Sequence, residues 1–450
     1  DPAQLEGCEN RLAVFGPRLP DVSLSKVNES SPIAARMNIL RSGRPMTLLA
    51  IFAALLFVYS LLSRRLDETV LTGPMLFTVA GAAVAVQVPA EVTAGMNSQI
   101  FLHLAEAGLV LLLFTEAART DLSQLWNFRA LPARLLGIGM PLTIVLGAIL
   151  AWLVFPGLQV WEAAILAAIL APTDAGLGQV IVTSDRVPVP VRSALNVEAG
   201  LNDGLAVPFL LFFMALAAAG QEGIEASFAR FIVEQLGYGL AVGCALGLAG
   251  GWGLGWSARR GWLSPVAGQA GLFALPVLCL IVSEKVEASM FIAAFAAGLA
   301  LQAGYRESRH HSLEFSEISG QVLNLAVFFL FGMVVVRHAS FLSWTALIYG
   351  ALSLTVVRLL PVAAALIGMR TDRSTVLFMG WFGPRGLASI VLGLVYLERE
   401  IRLPHEAIIR DAAIATVLLS IFAHGLTARP GIALHARLSA REPQDGFPPG

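Results

Sequence analysis

Two acids and an amide lie within six residues of one another, in the otherwise apolar segment LNVEAGLNDGLAVPF. They are Glu198, Asn202 and Asp203. Carboxylate oxygens can hold a proton or bind a hard cation. On a helix of 3.6 residues per turn, Glu198 and Asn202 share a face, and Asp203 lies about 100° further round. The two acids therefore need different partners.

One of the two acids needs a permanent positive charge, because an unpaired carboxylate is costly in an apolar interior. We expect Arg385 to form a structural ion pair with Glu198, since a guanidinium stays charged and can hold a carboxylate by two bonds. Asp203 is then free to alternate between a proton and a small cation. The alternative is that both acids belong to structural ion pairs.

Two further ionisable groups stand in apolar segments and need an explanation. Glu116, in LLFTEAARTDL, is either a second acid that lines the approach to the site or a solvated residue at a helix end. Arg358, in VVRLLP, is a candidate partner for an acid such as Glu106. For Arg358 the sequence favours a structural role.

Two apolar segments are interrupted by proline and glycine. AAILAPTDAGLGQV contains Pro172 beside Asp174, and VLFMGWFGPRGLASIVLGL contains Gly383 and Pro384 beside Arg385. Proline removes a backbone donor and glycine weakens a helix, so we expect both helices to break. A matched pair of interrupted spans, each beside a charge, is typical of a transporter site. The alternative is that each proline only bends its helix.

The composition indicates a membrane protein. The chain has 450 residues, of which 56% are hydrophobic and 14% charged, whereas a soluble domain carries about 25% charged residues. Hydropathy predicts about thirteen apolar windows. We therefore expect an all-α polytopic membrane protein, with a polar N-terminal tail at 1–45, a transmembrane domain at 46–428 and a short C-terminal tail at 429–450. The net charge of −1 does not favour a nucleic-acid partner.

The distribution of arginine predicts the orientation, because cytoplasmic loops hold an excess of Lys and Arg. The segments after odd-numbered windows are the richer ones in arginine, which predicts a cytoplasmic C-terminus and an N-terminus outside. Arg36, Arg41 and Arg44 oppose this assignment of the N-terminus. The sequence has no motif of a hydrolase, a metalloprotease or a nucleotide-binding enzyme, so we do not expect an enzyme.

The motifs APTDAG, VEAGLNDG and GPRG, with LLFTEAARTDL and VVRLLP, resemble those of the monovalent cation/proton antiporters of the NhaP and NHE branch. The resemblance implies an NhaA-like inverted repeat of about thirteen transmembrane helices, two of them discontinuous and crossed. It also implies a homodimer, with a mobile core bundle at about 133–219 and 344–428 and a remainder that forms the dimerisation scaffold.

The resemblance also implies roles for particular residues. Asp203 matches the aspartate that binds cation or proton, and Thr173 a ligand in the unwound stretch. Asn202, in place of a second aspartate, implies electroneutral exchange, whereas Ala199 replaces a serine that supplies an oxygen in many members. The resemblance thus implies a cation- and proton-binding set of Asp203, Thr173, Asn202 and Glu116, in which Asp203 and Thr173 are ligands of the monovalent cation. It implies a structural ion pair of Glu198 and Arg385. It also implies unwound segments that contain Pro172, Asp174, Gly383 and Pro384.

The expected activity is the exchange of Na⁺, or of K⁺ or Li⁺, for H⁺ by alternating access, with these ions as substrates and no cofactor. We expect the protein in the plasma membrane, which is the inner membrane of a bacterium, with a role in pH homeostasis. Two alternatives are a Na⁺-coupled symporter of the same fold and, in a different class, a membrane-embedded receptor or enzyme that uses Glu198 and Asp203 as an acid pair.

Overall fold

The computed structural model describes most of the chain: residues 32–66, 68–87, 98–120, 129–174, 176–219, 224–305, 312–338, 343–369, 371–398 and 403–439. Two compact units divide the chain, at residues 1–50 and 51–450. The first contributes the start of one helix to the described residues. All side chains discussed below belong to the second unit.

All regular structure in the described residues is helical. In chain order the helices are α1 Pro32–Leu66, α2 Gly73–Gln87, α3 Ser98–Arg119, α4 Ala130–Arg134, α5 Met140–Val154 after a π-helical turn at Leu135–Gly139, α6 Val160–Ile169, α7 Gln179–Val182, α8 Val189–Ala219, α9 Ile224–Arg259, α10 Pro265–Lys285, α11 Met290–Leu301, α12 Glu314–Arg337, α13 Trp344–Leu354, α14 Val356–Ala365, α15 Arg373–Trp381, α16 Leu387–Glu398 and α17 Glu406–Ser439.

The expected membrane architecture is confirmed at the level of its helices. In the described part of the chain, nine helical stretches are long and apolar enough to cross a membrane, and four shorter apolar helices, α2, α6, α11 and α16, accompany them. Each apolar window of the sequence coincides with a helix or with a consecutive pair of helices. The exact number of crossings stays a prediction.

The outer limits of the helical region differ from those expected. α1 begins at Pro32, inside the segment expected to be a polar tail up to residue 45, and α17 continues to Ser439, beyond the expected limit at 428. Hydropathy marks the part of a helix that lipid can cover, whereas the backbone hydrogen bonds of a helix continue through polar residues. The remainder of both expected tails, 1–31 and 440–450, lies outside the described residues.

Both expected helix breaks are present. α6 ends at Ile169 and the next helical residue in the same window is Gln179. α15 ends at Trp381 and α16 begins at Leu387. The first gap contains Pro172 and the second contains Pro384, as the sequence indicated. A proline cannot supply the amide donor that a continuous helix requires. Unpaired carbonyl and amide groups are therefore available at both breaks.

Candidate functional site at the crossing of two broken helices

The two breaks contact each other directly. The amide of Asp174 donates a hydrogen bond to the carbonyl oxygen of Pro384, at 2.8 Å. The Nη1 of Arg385 donates to the carbonyl oxygens of Ala171, at 2.5 Å, and Pro172, at 3.0 Å. The carbonyls that the first break leaves without helical partners are thus bound by a side chain of the second. This is the crossing of discontinuous helices that the motifs implied.

The carboxylate of Asp174 joins the two breaks. Its Oδ1 accepts hydrogen bonds from the amides of Gly176, at 2.7 Å, and Leu177, at 3.1 Å, while its Oδ2 accepts one from the amide of Leu387, at 2.5 Å. Leu387 is the first residue of α16, so the negative charge lies where the helix dipole favours it. Gly386 is needed beside this contact, because a Cβ there would overlap Oδ2 of Asp174.

The expected ion pair between Glu198 and Arg385 is wrong: the partner of Glu198 is Arg358. Nη1 of Arg358 lies 2.5 Å from Oε1 of Glu198, and Nη2 lies 2.9 Å from Oε2, with both side chains buried. Arg385 is instead engaged by the carbonyls of the first break. Two buried arginines were available, and residue type alone does not decide which one faces Glu198. Glu106, the suggested partner of Arg358, lies 3.3 Å from Nδ1 of His103 instead.

The glycine-rich motif of the second break makes room for this pair. A Cβ on Gly383 would lie 2.8 Å from Cζ of Arg358, closer than carbon atoms pack, and would also overlap its Nε. The backbone of the break therefore approaches the guanidinium as closely as only glycine permits. The sequence GPRG thus serves both contacts, with Gly383 beside Arg358 and Gly386 beside Asp174.

Asn202 and Thr173 bind each other. The Nδ2 of Asn202 donates to Oγ1 of Thr173 at 2.8 Å, and the amide of Thr173 donates to Oδ1 of Asn202 at 3.3 Å. Both side chains are buried. The structure therefore brings together two of the residues that the sequence assigned to the cation site, and it uses the amide of Asn202 to position the unwound stretch.

Asp203 differs from the other buried acids of the site. It is 6% exposed, and its Oδ1 is buried without a hydrogen-bond partner in the described part of the chain. Within the described residues no Lys, Arg or His forms an ion pair with it. Asp174 and Glu116 are near enough to act on it electrostatically. An uncompensated carboxylate at this position can accept a proton or a hard cation.

Glu116 lines a cavity of about 560 Å³ that other polar side chains also line. Its Oε2 lies 3.5 Å from the point where a Cβ on Gly200 would stand, and Gly200 precedes Asp203 by one helical turn. This geometry favours the interpretation of Glu116 as an acid on the approach. Asp203 and Thr173 are not among the described lining residues, so the cavity ends short of them.

Comparisons with known proteins identify the family and the fold. Residues 48–433 match the family model for the transmembrane sodium/hydrogen exchanger. The chain belongs to the sodium/hydrogen exchanger family. The exchanger fold is also that of a solved structure, the sodium proton antiporter MjNhaP1 from Methanocaldococcus jannaschii. This comparison has a TM-score of 0.71 at 18% identity and covers 87% of this chain and 99% of that one.

Three curated relatives of this exchanger-family chain are named as antiporters. It is 24% identical to a Na⁺/H⁺ antiporter of Schizosaccharomyces pombe, over 62% of each chain. It is 25% identical to the sodium, potassium, lithium and rubidium/H⁺ antiporter of Bacillus subtilis, over 58% of this chain and 38% of that one. It is also 25% identical to the K⁺/H⁺ antiporter NhaP2 of Shewanella sp. strain ANA-3, over 84% of this chain and 64% of that one. The matches span less than two thirds of each relative.

Two contacts of the exchanger-family chain were not predicted from the sequence. It did not identify Arg358 as the partner of Glu198, although VVRLLP drew attention to it. It also did not identify the carboxylate of Asp174 as the cap of α16. The sequence offered Asp174 in one break and Arg385 between two glycine-containing positions in the other. This pattern is consistent with a cap but does not specify one.

Proposed function

We propose that this chain exchanges a monovalent cation for H⁺ across a membrane, with Na⁺ as the first candidate and K⁺ or Li⁺ as others. One observation carries the proposal: among the described residues, a buried carboxylate oxygen of Asp203 has no hydrogen-bond partner, while Glu198 on the same helix is bound by Arg358. The carboxylate of Asp203 carries one negative charge, which a single cation or a single proton neutralises. Exchange of one for the other is then electroneutral.

The proposed cation site has Asp203 as its charged ligand and the hydroxyl of Thr173 as a neutral one. A hard cation favours such oxygen ligands. Asn202 holds Thr173 in position through its two hydrogen bonds. Ala199 supplies no side-chain oxygen, so water or a backbone carbonyl completes the coordination, and Glu116 binds the cation as it approaches. The transported ions are substrates, and the exchange requires no cofactor.

Coupling follows from the cost of burying a bare carboxylate. The core bundle, at about 133–219 and 344–428, moves against the remainder only when Asp203 carries a proton or a cation. The two ligands exclude each other at Asp203, since both neutralise the same carboxylate. A cation released on one side is therefore replaced by a proton before the site returns.

The proposed assembly is a homodimer in the plasma membrane, with the N-terminus outside and the C-terminus in the cytoplasm. In this orientation the cavity opens towards the cytoplasm, because Arg119 and Arg429 line it and both belong to segments that the arginine count assigns to that side. The protein would then contribute to pH homeostasis. Curated relatives are named for Na⁺ and for K⁺ exchange, so the preferred ion is to be measured.

The direct test is transport by the purified protein in vesicles loaded with a pH-sensitive dye. With an imposed pH gradient, adding Na⁺, K⁺ or Li⁺ in turn should collapse the gradient for the transported ions, without any organic solute. Asp203→Asn should give no response, whereas Asp185→Asn, at a side chain that is 98% exposed, should respond like the wild type. Failure of the wild type to move protons with any of the three cations would contradict the proposal.

A further inference from the structure

A stripe of polar side chains follows one face of α12, which is otherwise largely apolar. Glu317, Gln321 and Asn324 are spaced four and three residues apart, so they share a face. All three line the cavity that Glu116 also lines. A polar stripe on a membrane helix that faces a cavity marks a path for polar or charged solutes.

The first two members of the stripe have partners. Glu317 forms an ion pair with Arg119, and Nε2 of Gln321 donates to Oε1 of Glu317 at 3.3 Å. Asn324 differs, because it is 7% exposed and its Oδ1 is buried without a hydrogen-bond partner among the residues that the structure describes. A buried carbonyl oxygen without a partner costs free energy, and a ligand that binds it removes that cost.

The amide of Asn324 faces the first helix break. Its Nδ2 lies 3.2 Å from the point where a Cβ on Gly176 would stand, and Oδ1 of Asp174 lies 3.0 Å from the same point. Its backbone packs against α3, where a Cβ on Gly108 would lie 3.7 Å from the amide nitrogen of Asn324. Asn324 therefore presents a side chain from a firmly packed helix to the segment that carries Thr173.

We propose that the carbonyl oxygen of Asn324 is a ligand for the cation as it passes between the cavity and Asp203. This inference rests on the exchange activity proposed above. A neutral amide oxygen replaces part of the hydration shell of an alkali-metal ion. Because it adds no charge, it binds the ion without holding it as strongly as a third carboxylate beside Asp174 and Glu116 would. Asn324 thus contributes to the apparent affinity and the selectivity of transport.

The test compares Asn324→Ala with Asn324→Ser, which differ by one hydroxyl oxygen. In vesicles, Asn324→Ala should raise the apparent KM for Na⁺ about tenfold, the loss expected for one ligand, with an unchanged maximal rate. Asn324→Ser should recover part of that loss. Asn196→Ala is the matched control, since Asn196 lines the same cavity and is half-buried, and its KM should equal that of the wild type.

A second measurement separates binding from transport. Na⁺ should raise the thermal stability of the detergent-solubilised protein, because a ligand that binds only the folded state stabilises it. Asn324→Ala should need about tenfold more Na⁺ for the same rise. A wild-type Na⁺ requirement in Asn324→Ala, or equal KM values in the Ala and Ser variants, would overturn the inference while the exchange activity stands. A wild type that exchanges no cation would overturn the proposed function and this inference together.

Discussion

The carboxylates at the crossing of the broken helices and the carboxylate of Asp203 differ in how they are bound by the protein. In the crossing, Asp174 accepts three backbone hydrogen bonds and Glu198 is held by both terminal nitrogens of Arg358. Asp203 is five residues from Glu198 on the same helix, yet one of its oxygens is buried without a hydrogen-bond partner from any residue that the structure describes. We infer that Asp174 and Glu198, which have fixed partners, maintain the geometry of the breaks, whereas Asp203 is available to exchange a proton for a cation.

The difference has a physical basis in the cost of burying charge. A carboxylate whose partner is fixed contributes a constant interaction, and removing that partner leaves a charge that the interior does not tolerate. A carboxylate without a fixed partner must instead be neutralised by a mobile ion, either a proton or a cation. The two regions should therefore respond differently to substitution, with loss of stability in the crossing and loss of transport at Asp203.

The largest expected effect on transport comes from Asp203→Asn. The amide has the same size but cannot be neutralised by a proton or a cation, so exchange should fall to background in dye-loaded vesicles. The melting temperature should stay at or above that of the wild type, because an uncompensated charge has been removed. Exchange at the wild-type rate in this variant would contradict the assignment of Asp203 as the exchanging carboxylate.

The largest expected effect on stability comes from the buried ion pair. Glu198→Ala and Arg358→Ala should each cost about 3–5 kcal/mol, since each leaves an unpaired buried charge. The double variant should be clearly less destabilised than the sum of the two, because the groups interact directly. The measurement is a double-mutant cycle on the unfolding of the solubilised protein.

Arg385 provides the control for that cycle. It binds carbonyl oxygens of the first break rather than Glu198, so the coupling of Arg385→Ala with Glu198→Ala should be weaker than that of Arg358→Ala. A stronger coupling with Arg385 would restore the pairing that the sequence motifs implied.

A smaller effect on stability is expected at the cap of α16. Gly386→Ala places a methyl group against the carboxylate of Asp174 and should cost about 1–3 kcal/mol, as overpacking of a buried site does. Gly393→Ala, on the same helix, is the matched control, since the nearest atom to its Cβ would be 4.0 Å away. Thermal unfolding of both variants should separate them. Equal melting temperatures would indicate that the cap tolerates displacement.

The smallest effect is expected at Glu116. Glu116→Gln should raise the apparent KM for the cation about three- to tenfold, because a charge on the approach is lost while Asp203 remains. The maximal rate should be retained. A variant with no exchange at all would make Glu116 an essential second acid, and an unchanged KM would remove it from the approach.

The sequence predicted the features that depend on local chemistry. Pro172 and Pro384, together with the glycines beside them, predicted both breaks, and apolar windows predicted the helices, because both follow from the backbone and the solvent. The spacing of Glu198 and Asp203 also predicted that the two acids do not share a partner. This separation is the part of the site that helix geometry determines.

The parts that depend on tertiary packing were not predictable from the sequence. Arg358 and Arg385 carry the same charge, and only the packing of the helices determines that the first faces Glu198 and the second the carbonyls of the break. The reciprocal hydrogen bonds between Asn202 and Thr173 also join residues on separate segments. The extension of α1 and α17 beyond the apolar windows was not predicted, because hydropathy does not report where a helix continues into polar sequence.

The central claim is that a proton and a cation compete for the carboxylate of Asp203. It is tested most directly by adding Na⁺, K⁺ or Li⁺ to the solubilised protein in weakly buffered solution and measuring the protons released. The wild type should release protons saturably when a transported cation is added, and Asp203→Asn should release none. Cation binding without proton release, or the same release from Asp203→Asn, would contradict it.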